Sequence, residues 1–91
     1  MVFTWDPRKA AANVRKHGID FHEAATVMGD TLSTTFPDLE HSVPSDLRFV
    51  TIGMSHRSRV LVVVHTEGKH AARIISARRA TNHERKFYEE S

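Results

Sequence analysis

The spacing of apolar positions changes along the 91 residues, and the changes divide the chain into elements. Residues 2–5 alternate weakly and predict a short first strand. Asp6-Pro7 then marks a helix start, because the Asp carboxylate can accept first-turn N–H groups and proline loses nothing at the first helical position. The alanine-rich residues 8–17 predict a helix with Ala11 and Val14 on one face, ended by Gly18. Asp20-Phe-His-Glu23 is a capping-box pattern that opens a second short helix, running to about Met28 and closed by Gly29-Asp30. From Thr31 the period becomes two. Residues 31–36 are β-branched and predict a strand ended by Pro37-Asp38, and residues 37–46, PDLEHSVPSD, read as a loop.

Residues 47–54 alternate, with Arg48, Val50, Ile52 and Met54 on one face and Phe49 and Thr51 on the other. Residues 59–66 follow a turn, and their VLVVV run predicts a central strand buried on both faces. A second turn precedes a last strand over residues 71–77. Thr81-Asn-His-Glu84 is another capping-box pattern, opening a terminal helix that carries Arg85, Phe87 and Tyr88. Strands joined by short turns pair as hairpins. The expected fold is α+β, with N-terminal helices packed on one face of an antiparallel β-sheet and a C-terminal helix. The other face is left partly open, which is where a ligand would sit.

Composition narrows this further. The length suits a single domain over residues 1–91, without repeats or low-complexity segments. A domain of this size buries only about 60–65% of its unfolded surface, so a partner would add useful stability. The absence of cysteine excludes disulfides, thiolate metal sites and cysteine nucleophiles, and fits a reducing cytosol. The N-terminus is too polar for a signal peptide, and the longest apolar run, residues 60–64, is too short to span a bilayer. The expectation is a soluble cytoplasmic protein with no membrane contact. Net charge is +2, but it is unevenly spread. Residues 1–47 hold four Lys/Arg against seven Asp/Glu, whereas residues 48–91 hold nine against four. Such a chain can present one electropositive face to phosphates, or can simply solvate a sheet and a helix.

Seven histidines raise the question of a metal, but none form an i, i+4 helical pair and no HExxH pattern accompanies them, so no metal and no cofactor are expected. Nucleotide-binding glycine loops and the GxSxG nucleophile pattern are also missing. What remains is cationic and proton-transferring. Cutting RNA without a metal needs a base for the 2′-hydroxyl, cations for the charge growing on the phosphate, and an acid for the leaving oxygen. The guanidinium fork matches phosphate oxygens. Arg48, Arg73 and Arg78 lie in or just beyond strands, His65 in the central strand, and Glu84 and Tyr88 four apart on the terminal helix. Each also has a structural reading: arginines reaching water from a strand, a satisfied histidine, a helix cap, and a tyrosine packed on the sheet.

The stretches FTWDPRKAAANVRKHGIDFHEA, RFVTIG, LVVVHT and RIISARRAT, followed by Glu84-Arg85 and Tyr88, resemble the BrnT family over nearly the whole chain. That resemblance implies a toxin of a type II toxin–antitoxin module with a RelE-like ribonuclease fold. It implies a metal-independent endoribonuclease that cuts cellular RNA, inhibits translation and arrests growth. It also implies a BrnA-type ribbon-helix-helix antitoxin, operator DNA bound only through that antitoxin, and a heterotetramer or higher assembly. Arg48, Arg73, Arg78, Glu84 and Tyr88 fall on matching positions as catalytic candidates, joined by His65. Two departures stand out: Asp46-Leu47 interrupts an acidic approach to the third strand, and the EGKHAA hairpin lacks an expected arginine. Asn13 and His17 match the family pattern and are read as a packing pair. The rival readings are a non-catalytic RNA- or ribosome-binding module, and a degenerate toxin acting only as antitoxin partner and corepressor.

Overall fold

A computed structural model describes residues 2–90, beginning with strand β1 (Val2–Thr4) and helix α1 (Pro7–His17). Asp6 Oδ1 accepts the Arg8 N–H at 2.8 Å, and Pro7 fills the first turn. Gly18 ends the helix at φ 70°, a left-handed conformation that a Cβ would strain. Helix α2 (Phe21–Thr26) is capped by Asp20, whose Oδ1 accepts the Glu23 N–H at 2.7 Å. The reciprocal half of that box does not form. Glu23 is fully buried, and its carboxylate accepts from the Ser55 hydroxyl at 2.6 Å and from Arg59. A 3-10 turn, Val27–Gly29, leads to β2 (Thr34–Pro37), β3 (Arg48–Met54), β4 (Val60–Thr66), β5 (Ala71–Arg79) and α3 (Asn82–Glu90).

Among the described residues the strands form one sheet in the order β1-β5-β4-β3-β2. Strands β2 to β5 pair antiparallel, as hairpins must. The sheet is nevertheless mixed rather than antiparallel, because β1 lies parallel to β5, with Val2 opposite Ala71 and Thr4 opposite Arg73. Short turns reveal only the pairing of strands consecutive in sequence. Here the first strand meets the last at an edge.

Strand β4 sits at the centre. Its Leu61 and Val63 are fully buried against Ile19, Phe21, Ala24 and Val27, so α1 and α2 cover that face. Its Val60 and Val62 face the other way, toward Ile52 and Tyr88. Burying an aliphatic side chain of this kind contributes about 1.5–3 kcal/mol. Between β4 and β5 the register slips: Val64 pairs with Ser76, but His65 pairs with Ile74. Ile75 is the extra residue of a β-bulge. Ile74 and Ala77, three apart, therefore both enter the covered core, and Arg73, Ile75, Ser76 and Arg78 fall on the open side.

Beyond the bulge β5 has lost its outer-edge neighbour, since β1 pairing stops at Arg73, while β4 still pairs with its inner edge. The buried Asn13 side chain takes over. Its Nδ2 donates to the carbonyls of Ala77 at 2.8 Å and Ile19 at 2.9 Å, and its Oδ1 accepts the Ala77 N–H at 3.1 Å. Asn13 thus pairs with backbone, rather than with His17. Replacing it with alanine would leave three backbone groups unpaired, each at about 1–3 kcal/mol. Asn13→Ala is expected to lose at least about 3 kcal/mol in urea unfolding and more than about 10 °C in Tm. Asn13→Asp, which keeps the acceptor but loses both donors, should fail similarly. A loss below about 1 kcal/mol would mean that water replaces the amide.

Candidate functional site

The incompletely covered face holds a cavity of about 440 Å³. Its floor is apolar, formed by Val50 of β3, Val62 and Val64 of β4 and Ile75 of β5. Arg48 of β3, Ser76 and Arg78 of β5 and Glu84 of α3 edge it, and Phe36, Asp38 and His41 of β2 and the loop after it complete the rim. Arg48 opens β3 and Arg78 nears the end of β5, so two strands deliver cations to one opening.

The two arginines are held differently. Arg48 Nη2 lies 3.4 Å from Asp46 Oδ2, and Arg73 Nη2 lies 3.3 Å from Asp46 Oδ1. One carboxylate thus serves two guanidinium groups through contacts at the long end of the hydrogen-bond range. Arg48 Nε is buried and has no hydrogen-bond partner among the described residues. Arg78 is gripped by both Glu84 oxygens, at 2.7 and 2.8 Å, in the fork-to-fork geometry of a strong charge-assisted pair.

Glu84 also completes the second capping box. Its Oε1 accepts the Thr81 N–H at 2.9 Å, and its own N–H donates to the Thr81 hydroxyl at 3.2 Å. Arg78 above all, with the Thr81 groups assisting and partial burial opposing, holds the carboxyl at about 2. Glu84 is therefore a carboxylate at neutral pH, suited to orienting Arg78 and poorly suited to moving a proton.

Two of the six sequence candidates lie elsewhere. His65 is buried on the helix-covered side, on the same face as Leu61 and Val63. Its Nδ1 donates to the Thr66 carbonyl at 3.0 Å, Nε2 sits 2.7 Å from the Thr51 hydroxyl, and the ring stacks on Phe49. With both nitrogens committed and the sheet between it and the cavity, His65 is structural. Tyr88 packs on Ile52, Val60 and Val62, tying α3 to the sheet. Its hydroxyl donates to Asp30 Oδ2 at 2.6 Å, and that bond, with burial, pushes the phenol up to about 12. Asp30 is reached on the far side of α3 from the cavity, which Tyr88 does not line. Arg73 stands beside the opening and joins it through Asp46.

The structure also brings in residues that the sequence pattern left in a loop. His41 Nδ1 lies 3.0 and 3.2 Å from the two Asp38 carboxylate oxygens. An Asp-x-x-His spacing in a turn flanked by Pro37 and Pro44 was the available signal. Among the described residues no three His, Asp or Glu side chains gather into a metal-holding group, and no helix is long and apolar enough to cross a membrane.

Comparison with known proteins gives a family match and a structural match. The family model described as "Ribonuclease toxin, BrnT, of type II toxin-antitoxin system" matches residues 5–84. The 1.1 Å crystal structure of the Brucella abortus ribonuclease toxin BrnT is similar at a TM-score of 0.66 and 24% identity, over 90% of this chain and 100% of that one. At that identity the structural likeness is one of fold. No curated protein matches.

The Glu84 carboxyl titrates near its ordinary 4.5 in the unfolded chain and at about 2 in the folded one. Its contribution to stability is complete above about pH 4.5 and is lost as pH falls toward 2. Glu84→Gln is expected to be less stable than the parent at pH 7, with the gap closing between about pH 5 and 2. Urea unfolding of both proteins across that range checks this. Because Glu23 and Asp30 are depressed as well, the difference between the proteins is the readout.

Proposed function

The chain belongs to the BrnT family of ribonuclease toxins of type II toxin–antitoxin systems, and from that premise we propose that its basic cavity binds the RNA backbone and cuts it without a metal ion. The observation that carries this reading is the convergence of Arg48 and Arg78 on one apolar-floored opening. The two guanidinium groups can hold a phosphate between them and offset the charge that builds up on its reacting oxygens. Val50, Val62 and Phe36 offer an apolar surface to a neighbouring base. Arg73, half-exposed beside Asp46, extends the grip to an adjacent phosphate.

The arginines are not a bare cationic patch. Arg48, Arg73 and Arg78 are accompanied by Asp46, Glu84 and Asp38. Phosphate therefore competes with Asp46 for its long, loose contacts, while the short Glu84 pair keeps Arg78 aimed. Cleavage of cellular RNA by such a site would inhibit translation and growth. A type II toxin has an antitoxin partner. We read that partner as a BrnA-type ribbon-helix-helix protein that alone contacts operator DNA and gathers the pair into a heterotetramer or larger assembly, with the toxin fold as RelE-like. One observation favours a second reading, RNA binding without cleavage: both Nη groups of Arg78 already donate to Glu84.

Cleavage of a labelled single-stranded RNA by the purified, antitoxin-free protein in EDTA separates the two. The expected result is cleavage by the parent, with Arg48→Ala and Arg78→Ala each slower by at least about tenfold while still folded. Arg73→Ala should lose less, since Arg73 stands outside the opening. Tight, salt-dependent RNA binding with no cleavage would replace this reading by the second one.

A further inference from the structure

The six candidates leave the cavity without a proton acceptor. Three are guanidinium groups, permanently protonated. His65 and Tyr88 do not reach the opening, and Glu84 is a carboxylate locked on Arg78. One imidazole lines the cavity, on the loop after β2.

We propose that His41, oriented by Asp38, is the general base that takes the 2′-hydroxyl proton in this cavity. The inference rests on the ribonuclease reading above. Asp38 can only accept, so Nδ1–H points at its carboxylate and the Nε2 lone pair is left for a ligand. Asp38 is 16% exposed and fixed, whereas the imidazole is 63% exposed and reachable. The loop is fastened to the strand that carries the phosphate-facing arginine. The Asp38 N–H donates to the Arg48 carbonyl at 2.8 Å. The Ser42 hydroxyl donates to the Asp38 carbonyl at 2.6 Å and accepts the Arg48 N–H at 2.9 Å. Base and cation are thus mounted on a single backbone unit, which is what a reaction needing both at one phosphate requires.

In the step, Nε2 takes the proton as the 2′ oxygen bonds to phosphorus. The P–O5′ bond then breaks, the leaving 5′ oxygen takes a proton from water, and the hydroxide left takes the proton from the His41 imidazolium, returning it to the neutral base. The products are a 2′,3′-cyclic phosphate and a 5′-hydroxyl end. Arg48 and Arg78 hold the phosphoryl oxygens throughout. The charged groups around His41 are Asp38, beside its ring, and Arg48, Arg78 and Glu84 across the cavity.

The test measures single-turnover cleavage of a labelled RNA, in EDTA, by the parent, His41→Ala, His41→Gln, Asp38→Asn and Arg78→Ala, alongside RNA affinity. His41→Gln keeps a donor for Asp38 but has no basic nitrogen. Both His41 variants are expected to cleave about 100-fold or more slowly, with RNA affinity within about threefold of the parent. Added imidazole should restore a measurable part of the His41→Ala rate and none of the Arg78→Ala loss. Asp38→Asn should be slower by about tenfold. A parent that cleaves with His41→Ala equally fast overturns the base assignment and leaves the ribonuclease reading standing. So does a His41→Ala loss that tracks lost RNA affinity and ignores imidazole. A folded parent that never cleaves overturns the ribonuclease reading and this inference together.

Discussion

A side-chain amide stands where a strand should be. Past Arg73, β5 has no sheet neighbour on its outer edge, and Asn13 answers both the donor and the acceptor of Ala77. An unpaired backbone group buried at such an edge would destabilise by as much as a buried aliphatic side chain stabilises. The same amide reaches the Ile19 carbonyl, so one residue fastens α1, the turn after it and the far half of β5. That far half carries Arg78. The bulge at Ile75, which leaves one residue of the ladder unpaired, comes just before it. The cavity's geometry thus depends on an interaction made on the opposite side of the sheet.

The two short arginine–glutamate pairs, Arg59 with Glu23 and Arg78 with Glu84, lie on opposite faces of the sheet, and the difference between them is instructive. Glu23 on the covered face is fully buried and shared with Ser55, and Arg59 is largely buried with it. Breaking that pair would leave an isolated charge in the core, a loss of about 3–5 kcal/mol. Arg78 and Glu84 are partly exposed beside an opening. Their pair orients a fork that a ligand can still approach. Glu84 serves two needs at once, since the box that starts α3 aims the carboxylate that aims Arg78.

Much of this was legible in the sequence, and what was not has a physical reason. The caps at Asp6 and Asp20, the stop at Gly18 and the two-sided burial of β4 all follow from local chemistry and period. The parallel edge pairing of β1 did not, because it joins residues some seventy apart without a turn to signal it. Strict alternation places Arg73 and Arg78, five apart, on opposite faces of β5. Only the bulge unites them, and Ile75 carries no glycine or proline to announce it. His65 was misplaced for the converse reason. It shares parity with Leu61 and Val63, so the alternation already assigned it to the core, and its chemistry drew attention away from its position. Asp38 and His41 were passed over because a loop has no period, and their pairing emerges only once Ser42 folds the loop onto Arg48.

The arrangement of acids around the cavity follows from having to fold before any ligand arrives. Three arginines on one partly covered face repel one another, and a domain this small has little stability to spare. Asp46 relieves two of them with a single carboxylate, through contacts long enough for a phosphate to displace. Glu84 holds the third through contacts too short to give up readily. The division is functional in consequence, with one cation kept rigid as a reference point and two left exchangeable. On the proposed reading, an anionic polymer entering the cavity would replace Asp46 as counterion without disturbing Arg78, so binding need not undo the fold that created the site.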